Sequence, residues 1–261
     1  MTKCVLSLTF SFALSAGGQT LPPLNDGEAH GDPRYLLEEG WIPLLNGKDL
    51  AGWHAQDGKP LQWLATRGVR WDQQDSQQRL YPAPYPGGVM LNSRAGKTSN
   101  IASDRKFGDV ELYVEFLISR NSNSGVYLQG LYEVQIKDTY DAKEMGTHDC
   151  GAIYERWIEG KGVGGTAPFK NGARPAGQWQ SFEIWFQAPR FDSGGRKTAN
   201  ARFLRVLHNG ILIHENVEVD GPTRASMSLP EAPLNPLMIQ GDHGPVALRN
   251  IYIRPLRPLK R

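Results

Sequence analysis

Asp109-Val-Glu-Leu-Tyr-Val-Glu-Phe-Leu-Ile118 settles the fold class. Side chains on an extended strand alternate between faces, so Val110, Leu112, Val114, Phe116 and Ile118 share one face while Glu111, Tyr113 and Glu115 share the other. That pattern belongs to a strand with a core on one side, as in antiparallel sheets. Gln178-Trp-Gln-Ser-Phe-Glu-Ile-Trp-Phe-Gln187 repeats it. Further on, residues 201–208 and 211–215 flank Asn209-Gly210, the dipeptide that best supplies the positive φ angles of a two-residue hairpin. Residues 237–240 and 246–254 read as a closing pair of strands. No segment of a dozen residues keeps a helical apolar stripe with start and stop signals. The expected architecture is therefore all-β, a jelly-roll β-sandwich of two packed antiparallel sheets. Residues 139–151 and 155–177 are irregular connections longer than ordinary loops, which points to a role in shaping a site.

Composition narrows the function classes. The 29 basic and 27 acidic residues are interspersed and leave a formal charge of +2. No large field exists to attract nucleic acid or an anionic membrane, so the expected partner is small and neutral. The 261 residues are enough for one full core, and a β-rich chain of this length is normally one unit. Residues 1–18 read as a signal peptide: Lys3 precedes a short apolar run from Cys4 to Leu14, then the small residues Ser15-Ala-Gly-Gly18. The run is too short to span a bilayer, so an exported protein, periplasmic or extracellular, is expected. Residues 19–40 read as a proline-rich linker, and residues 41–261 as a single domain. Removal of the signal leaves Cys150 alone, which excludes an internal disulfide and a multi-cysteine metal site. Oligomeric state does not follow from the sequence.

Asn121-Ser-Asn-Ser-Gly-Val-Tyr-Leu-Gln-Gly-Leu-Tyr-Glu-Val-Gln-Ile-Lys-Asp138 reads as two strands around a turn. Tyr132, Val134 and Ile136 point one way, and Glu133, Gln135 and Lys137 the other. A retaining glycanase needs two carboxyls about 5 Å apart, often on alternate residues of one strand. Here one carboxylate stands where two are required. A G-x-S-x-G nucleophile elbow is absent, and Gly160-Lys-Gly-Val-Gly-Gly165 lacks the Lys-Ser/Thr of a phosphate loop, so it reads as a flexible loop. Gln240-Gly-Asp-His-Gly-Pro245 supplies a candidate proton-transfer pair, Asp242 orienting His243, with a simple turn as the equal alternative. His148 with Asp138 could hold a divalent cation, the one cofactor these residues suggest. Cys150 reads as a small buried apolar residue. Lys170-Asn-Gly-Ala-Arg174 reads first as solvated loop charge, with a cationic side chain placed at the site as the alternative.

The order of these segments resembles a known family. Pro43-Leu-Leu-Asn-Gly-Lys-Asp-Leu50, Asn123-Ser-Gly-Val126, Tyr132-Glu-Val-Gln-Ile136 with Asp138, Cys150-Gly-Ala-Ile-Tyr154, Gly177-Gln-Trp179, His208-Asn-Gly210, Gln240-Gly-Asp-His-Gly244 and Arg249-Asn-Ile251 are similar to the motifs of the 3-keto-disaccharide hydrolases, also described as 3-keto-glucoside 1,2-lyase/hydratase domains. The resemblance runs from about Trp41 to Leu256. It implies a concanavalin A-like jelly roll acting on sugars already oxidised at C3. A C3 ketone acidifies the C2 proton, so a base can remove it and the C1 substituent then leaves by elimination. His243, oriented by Asp242, or Glu133 would be the base and the other the acid. Tyr154 or a cation would face the O3 oxyanion, while Asn123, Gln135 and Gln240 hold sugar hydroxyls. The competing expectations are a non-catalytic carbohydrate-binding module, with Trp53, Trp63, Trp71 and Trp157 on its surface, and a structural assembly protein.

Overall fold

The computed structural model describes residues 34–84 and 86–257. The signal read at residues 1–18 and the linker as far as residue 33 lie outside the described residues. Two sheets dominate. The larger has eight strands. Seven run in the order Ile211–Val219, Ala201–His208, Gln180–Gln187, Val110–Ile118, Val246–Pro255, Val89–Leu91 and Leu64–Thr66. Ile42–Pro43 pairs alongside Val246–Pro255. The five-stranded sheet runs Tyr132–Lys137, Asn123–Leu128, Asn235–Ile239, Ile101–Phe107 and Trp53–Ala55. Every pairing in both is antiparallel. The chain crosses between sheets at short intervals, from Ile101–Phe107 to Val110–Ile118 and back to Asn123–Leu128. This is a concanavalin A-like jelly-roll β-sandwich.

The core forms where the alternation places it. Leu112, Val114 and Phe116 join Phe182, Ile184 and Phe186 from the large sheet, and Val126, Val134, Ile136 and Ile239 meet them from the small one. Burying that much apolar side chain is the main favourable term of the fold. Asn209 and Gly210 take φ of 51° and 79°, as a type I′ hairpin turn requires. Among the described residues, no helix is long and apolar enough to cross a membrane.

Four features depart from the sequence reading. The outward residues of Val110–Ile118 are buried too. Glu111 accepts the Arg254 guanidinium (Nε to Oε2, 3.0 Å), the Tyr113 hydroxyl donates to Glu115 (2.9 Å), and Glu115 accepts Arg249 (2.5 Å). Over them lies the helix Arg34–Leu37, within the segment read as linker. Tyr35 stacks on Tyr252 at 4.0 Å, Arg34 lies 5.0 Å from the Trp185 ring, and Glu38 accepts Arg254 at 2.6 Å. Within 155–177, Arg156–Ile158 pairs with Lys161–Val163. Glu159 and Gly160 turn this hairpin with φ of 49° and 77°, so the run read as a flexible loop opens in a defined turn. Lastly, Trp53 and Trp63 are core residues, not the surface platform that a binding module would need.

Candidate active site

Register builds the site. Glu133 lies opposite Tyr127, which lies opposite Met238, and Gln135 lies opposite Gly125. Residues directly opposed in an antiparallel pair share a face. Gln240 extends the second row by donating its backbone N–H to the Gly125 carbonyl (3.0 Å). On the other edge the segment after Cys150 adds a further row member to each: Tyr154 N–H donates to the Glu133 carbonyl (3.1 Å) and Gln135 N–H to the Ala152 carbonyl (2.9 Å). Because Val134, Val126 and Ile239 are committed to the core, Tyr154, Glu133, Tyr127, Gln135 and Gln240 are gathered on the outer face of the small sheet.

Glu133 is the chemically perturbed member. Only 2% of it is exposed. Burial, joined by the charge of Asp242, pushes its carboxyl up to about 8, against the pull of a hydrogen bond with the Tyr127 hydroxyl. It therefore keeps its proton at neutral pH. The carboxyl rests over Gly125, where a Cβ would run into it. The single Tyr127 hydroxyl proton has a second acceptor in the Arg224 carbonyl (3.2 Å), to which it turns while Glu133 holds its own proton. Burial raises the Tyr127 and Tyr154 hydroxyls above the ordinary tyrosine range, and the Glu133 charge adds to both. Beside this group the Asp242 carboxylate accepts from His243 Nδ1 at 2.6 Å, which leaves Nε2 free to act. Asn92, fully buried, clamps the turn that carries the pair: its amide nitrogen donates to the Gly241 and Gly244 carbonyls (2.9 and 2.8 Å) and its oxygen accepts Val246 N–H (2.8 Å).

The profile of the 3-keto-alpha-glucoside-1,2-lyase-like domain matches residues 40–254. The chain belongs to that family. Its membership supports a carbohydrate-processing role. Among curated proteins, none matches the sequence. Two solved structures from Parabacteroides distasonis ATCC 8503, both carrying the provisional name glycosyl hydrolase, are similar in fold. One is 23% identical with a TM-score of 0.59, over 97% of this chain and 100% of that one. The other is 17% identical with a TM-score of 0.53, over 84% and 95%. At these identities the likeness extends to the fold.

Within the lyase-like domain the residues expected at the site separate into two groups. Among the described residues, Tyr154 and Asp242 lie within the electrostatic reach of Glu133, Asp242 holds His243, and Gln135 and Gln240 have buried amide oxygens with no hydrogen-bond partner. Asn123 begins the same strand face as Gly125, with its backbone nitrogen packed against Gly244. Arg174 belongs elsewhere: it donates to the Trp179 carbonyl (3.2 Å) and its backbone N–H to Gln180 (2.9 Å), at the end of the large sheet. Asp138 and His148 do not meet. Asp138, just past the strand that carries Glu133, accepts the Asn121 N–H (2.9 Å), while His148 pairs with Glu155 at 3.1 Å. Among the described residues, no three imidazole, thiol or carboxylate groups converge to hold a metal ion. Cys150 is sealed, its thiol pushed up to about 12 by burial, and is packing material. Sequence reasoning missed Tyr127, Gly125 and Asn92 as parts of the site. Only the two-residue spacing of Gly125 and Tyr127, matched to that of Glu133 and Gln135, signals the first two.

Proposed function

We propose that this protein cleaves 3-keto-glycosides by removing the C2 proton and eliminating the C1 substituent, hydration then completing a net hydrolysis. His243 takes the C2 hydrogen as a proton through Nε2. The bonding pair passes into an enediolate whose O3 faces Tyr154. As the C1–O bond breaks, the Glu133 carboxyl gives its proton to the departing oxygen, leaving a C1=C2 enone and a free alcohol. Hydration runs in the reverse sense: the Glu133 carboxylate takes a proton from water adding at C1, and the His243 imidazolium returns one to C2. The orphaned amide oxygens of Gln135 and Gln240, together with Asn123, accept sugar hydroxyls. With residues 1–18 as an export signal, the reaction takes place in the periplasm or outside the cell.

The observation that carries the reading is a buried carboxyl that stays protonated at neutral pH within the field of the Asp242 carboxylate that orients His243. A protonated carboxyl to donate and an imidazole nitrogen to accept are the two roles that paired acid and base catalysis needs. Glu133→Gln and His243→Ala should each abolish aglycone release from a 3-keto-glucoside while the circular dichroism stays that of the folded protein. In D2O, product from the wild type should carry deuterium at C2. Full rates in both variants would refute the assignment.

A further inference from the structure

We infer that Trp157 is the platform for the leaving group and selects substrates whose leaving group is itself a sugar ring, an inference that rests on the proposed elimination at Glu133. Trp157 is 49% exposed on the hairpin that follows Tyr154 directly. Its strand partner is Gly162, and the Glu155 carboxylate occupies the space where a side chain at Gly162 would stand. The ring is held on one side: the Arg224 guanidinium lies 3.9 Å from its centroid.

Arg224 ties this platform to the catalytic groups. Its carbonyl accepts the Tyr127 hydroxyl that also bonds Glu133, and its backbone N–H donates to the Glu155 carbonyl (2.8 Å). Glu155 accepts His148 at 3.1 Å and lies 3.7 Å from Arg224, and the His148 ring is 5.2 Å from that of Tyr154. From the proton donor outward, the surface thus runs from Tyr127 through the Arg224 backbone to an aromatic face ringed by a guanidinium, a carboxylate and an imidazole. A pyranose has a C–H face to lie on an indole and a rim of hydroxyls to bond such groups. A short alkyl leaving group offers neither. Elimination frees its alcohol at the atom Glu133 protonates, so whatever leaves must lie on the Glu133 side of the scissile bond.

The test compares 3-keto-trehalose with methyl 3-keto-α-glucoside. In Trp157→Ala, the ratio of kcat/KM for the disaccharide to that for the methyl glucoside should fall about tenfold, the loss entering mainly through KM. Trp157→Phe, which keeps a flat ring, should restore most of it. An unchanged ratio in Trp157→Ala, or a Phe variant as poor as the Ala one, overturns the platform. A calorimetric titration with 3-keto-trehalose separates this from the chemistry. Weakened binding in Trp157→Ala with retained binding in Glu133→Gln supports the platform whether or not the wild type turns over. A wild type that binds and releases no glucose refutes the elimination alone, and equal binding by wild type and Trp157→Ala refutes the platform alone.

Discussion

Glu133 is poised by two neighbours, Asp242 and Gly125, that each leave a separate experimental trace. A carboxyl held at about 8 is a competent acid below that value and loses its proton above it. The kcat/KM profile should therefore fall on its alkaline side with an apparent pKa near 8. The Asp242 charge contributes to that elevation, so Asp242→Asn should move the alkaline limb to lower pH, besides slowing turnover by releasing His243. A limb that stays in place in that variant would separate Asp242 from Glu133. Gly125 has the most exacting position. Its φ is ordinary, and what glycine provides there is space: Gly125→Ala must displace the Glu133 carboxyl. Misplacing a catalytic group by about 1 Å costs roughly a hundredfold in rate, which is the loss expected in kcat with the fold retained. Glu133, Gln135 and the Asp242–His243 pair were legible in the sequence because strand alternation and a polar turn mark them. The positions of Arg174 and Asp138 were not legible, because proximity along the chain says nothing about the face a side chain takes once its backbone is hydrogen-bonded, and His148 lies beside Tyr154, paired with Glu155.

Among elements, the outer face of the large sheet shows what alternation cannot disclose. Glu111, Tyr113 and Glu115 read as a solvated stripe, yet Arg254, 2% exposed, satisfies Glu111 from the neighbouring strand and reaches Glu38 beyond it. The helix Arg34–Leu37 is too short to be stable by propensity, and its stacking on Tyr252 and Tyr113 holds it in place. Such a helix has no sequence signal, because tertiary partners more than 70 residues away in the chain create it. The same holds for Arg156–Ile158, whose turn residues Glu159-Gly160 lack the asparagine or aspartate that announces a hairpin. Removing Arg254 leaves the Glu111 carboxylate buried without its counter-charge, a loss of about 3–5 kcal/mol. Arg254→Ala should lower the chemical-denaturation midpoint accordingly, and Glu38→Ala by much less, since that carboxylate is partly solvated. Equal effects would show that the strap, and not the buried pair, dominates this face.

Across the whole molecule, two buried histidines and two carboxyls, Glu133 buried and Glu183 half-buried, set opposing slopes of stability against pH. His208 and His214 are pushed down by burial to about 3 and about 4, the first also by the Arg174 charge, the second against the pull of its bond to the Gly151 carbonyl. The unfolded chain binds their protons below about 6.5 and the folded chain does not, so their contribution is present above that pH and lost as pH falls. Glu133 and Glu183 behave oppositely. Burial holds them at about 8 and about 7, so the folded chain keeps protons that the unfolded chain releases above about 4.5. Their contribution is present below that pH and lost as pH rises through 7 to 8. Between about pH 4.5 and 6.5 the two pairs nearly cancel. Urea midpoints should therefore be highest in that interval and decline on both sides. Glu183→Gln, which lies on the large sheet away from the proposed chemistry, should flatten the alkaline decline without moving the alkaline limb of the activity profile. If instead the midpoint of the wild type rises from pH 6 to 9, these carboxyls are not buried as protonated acids, and Glu133 loses its basis as the proton donor.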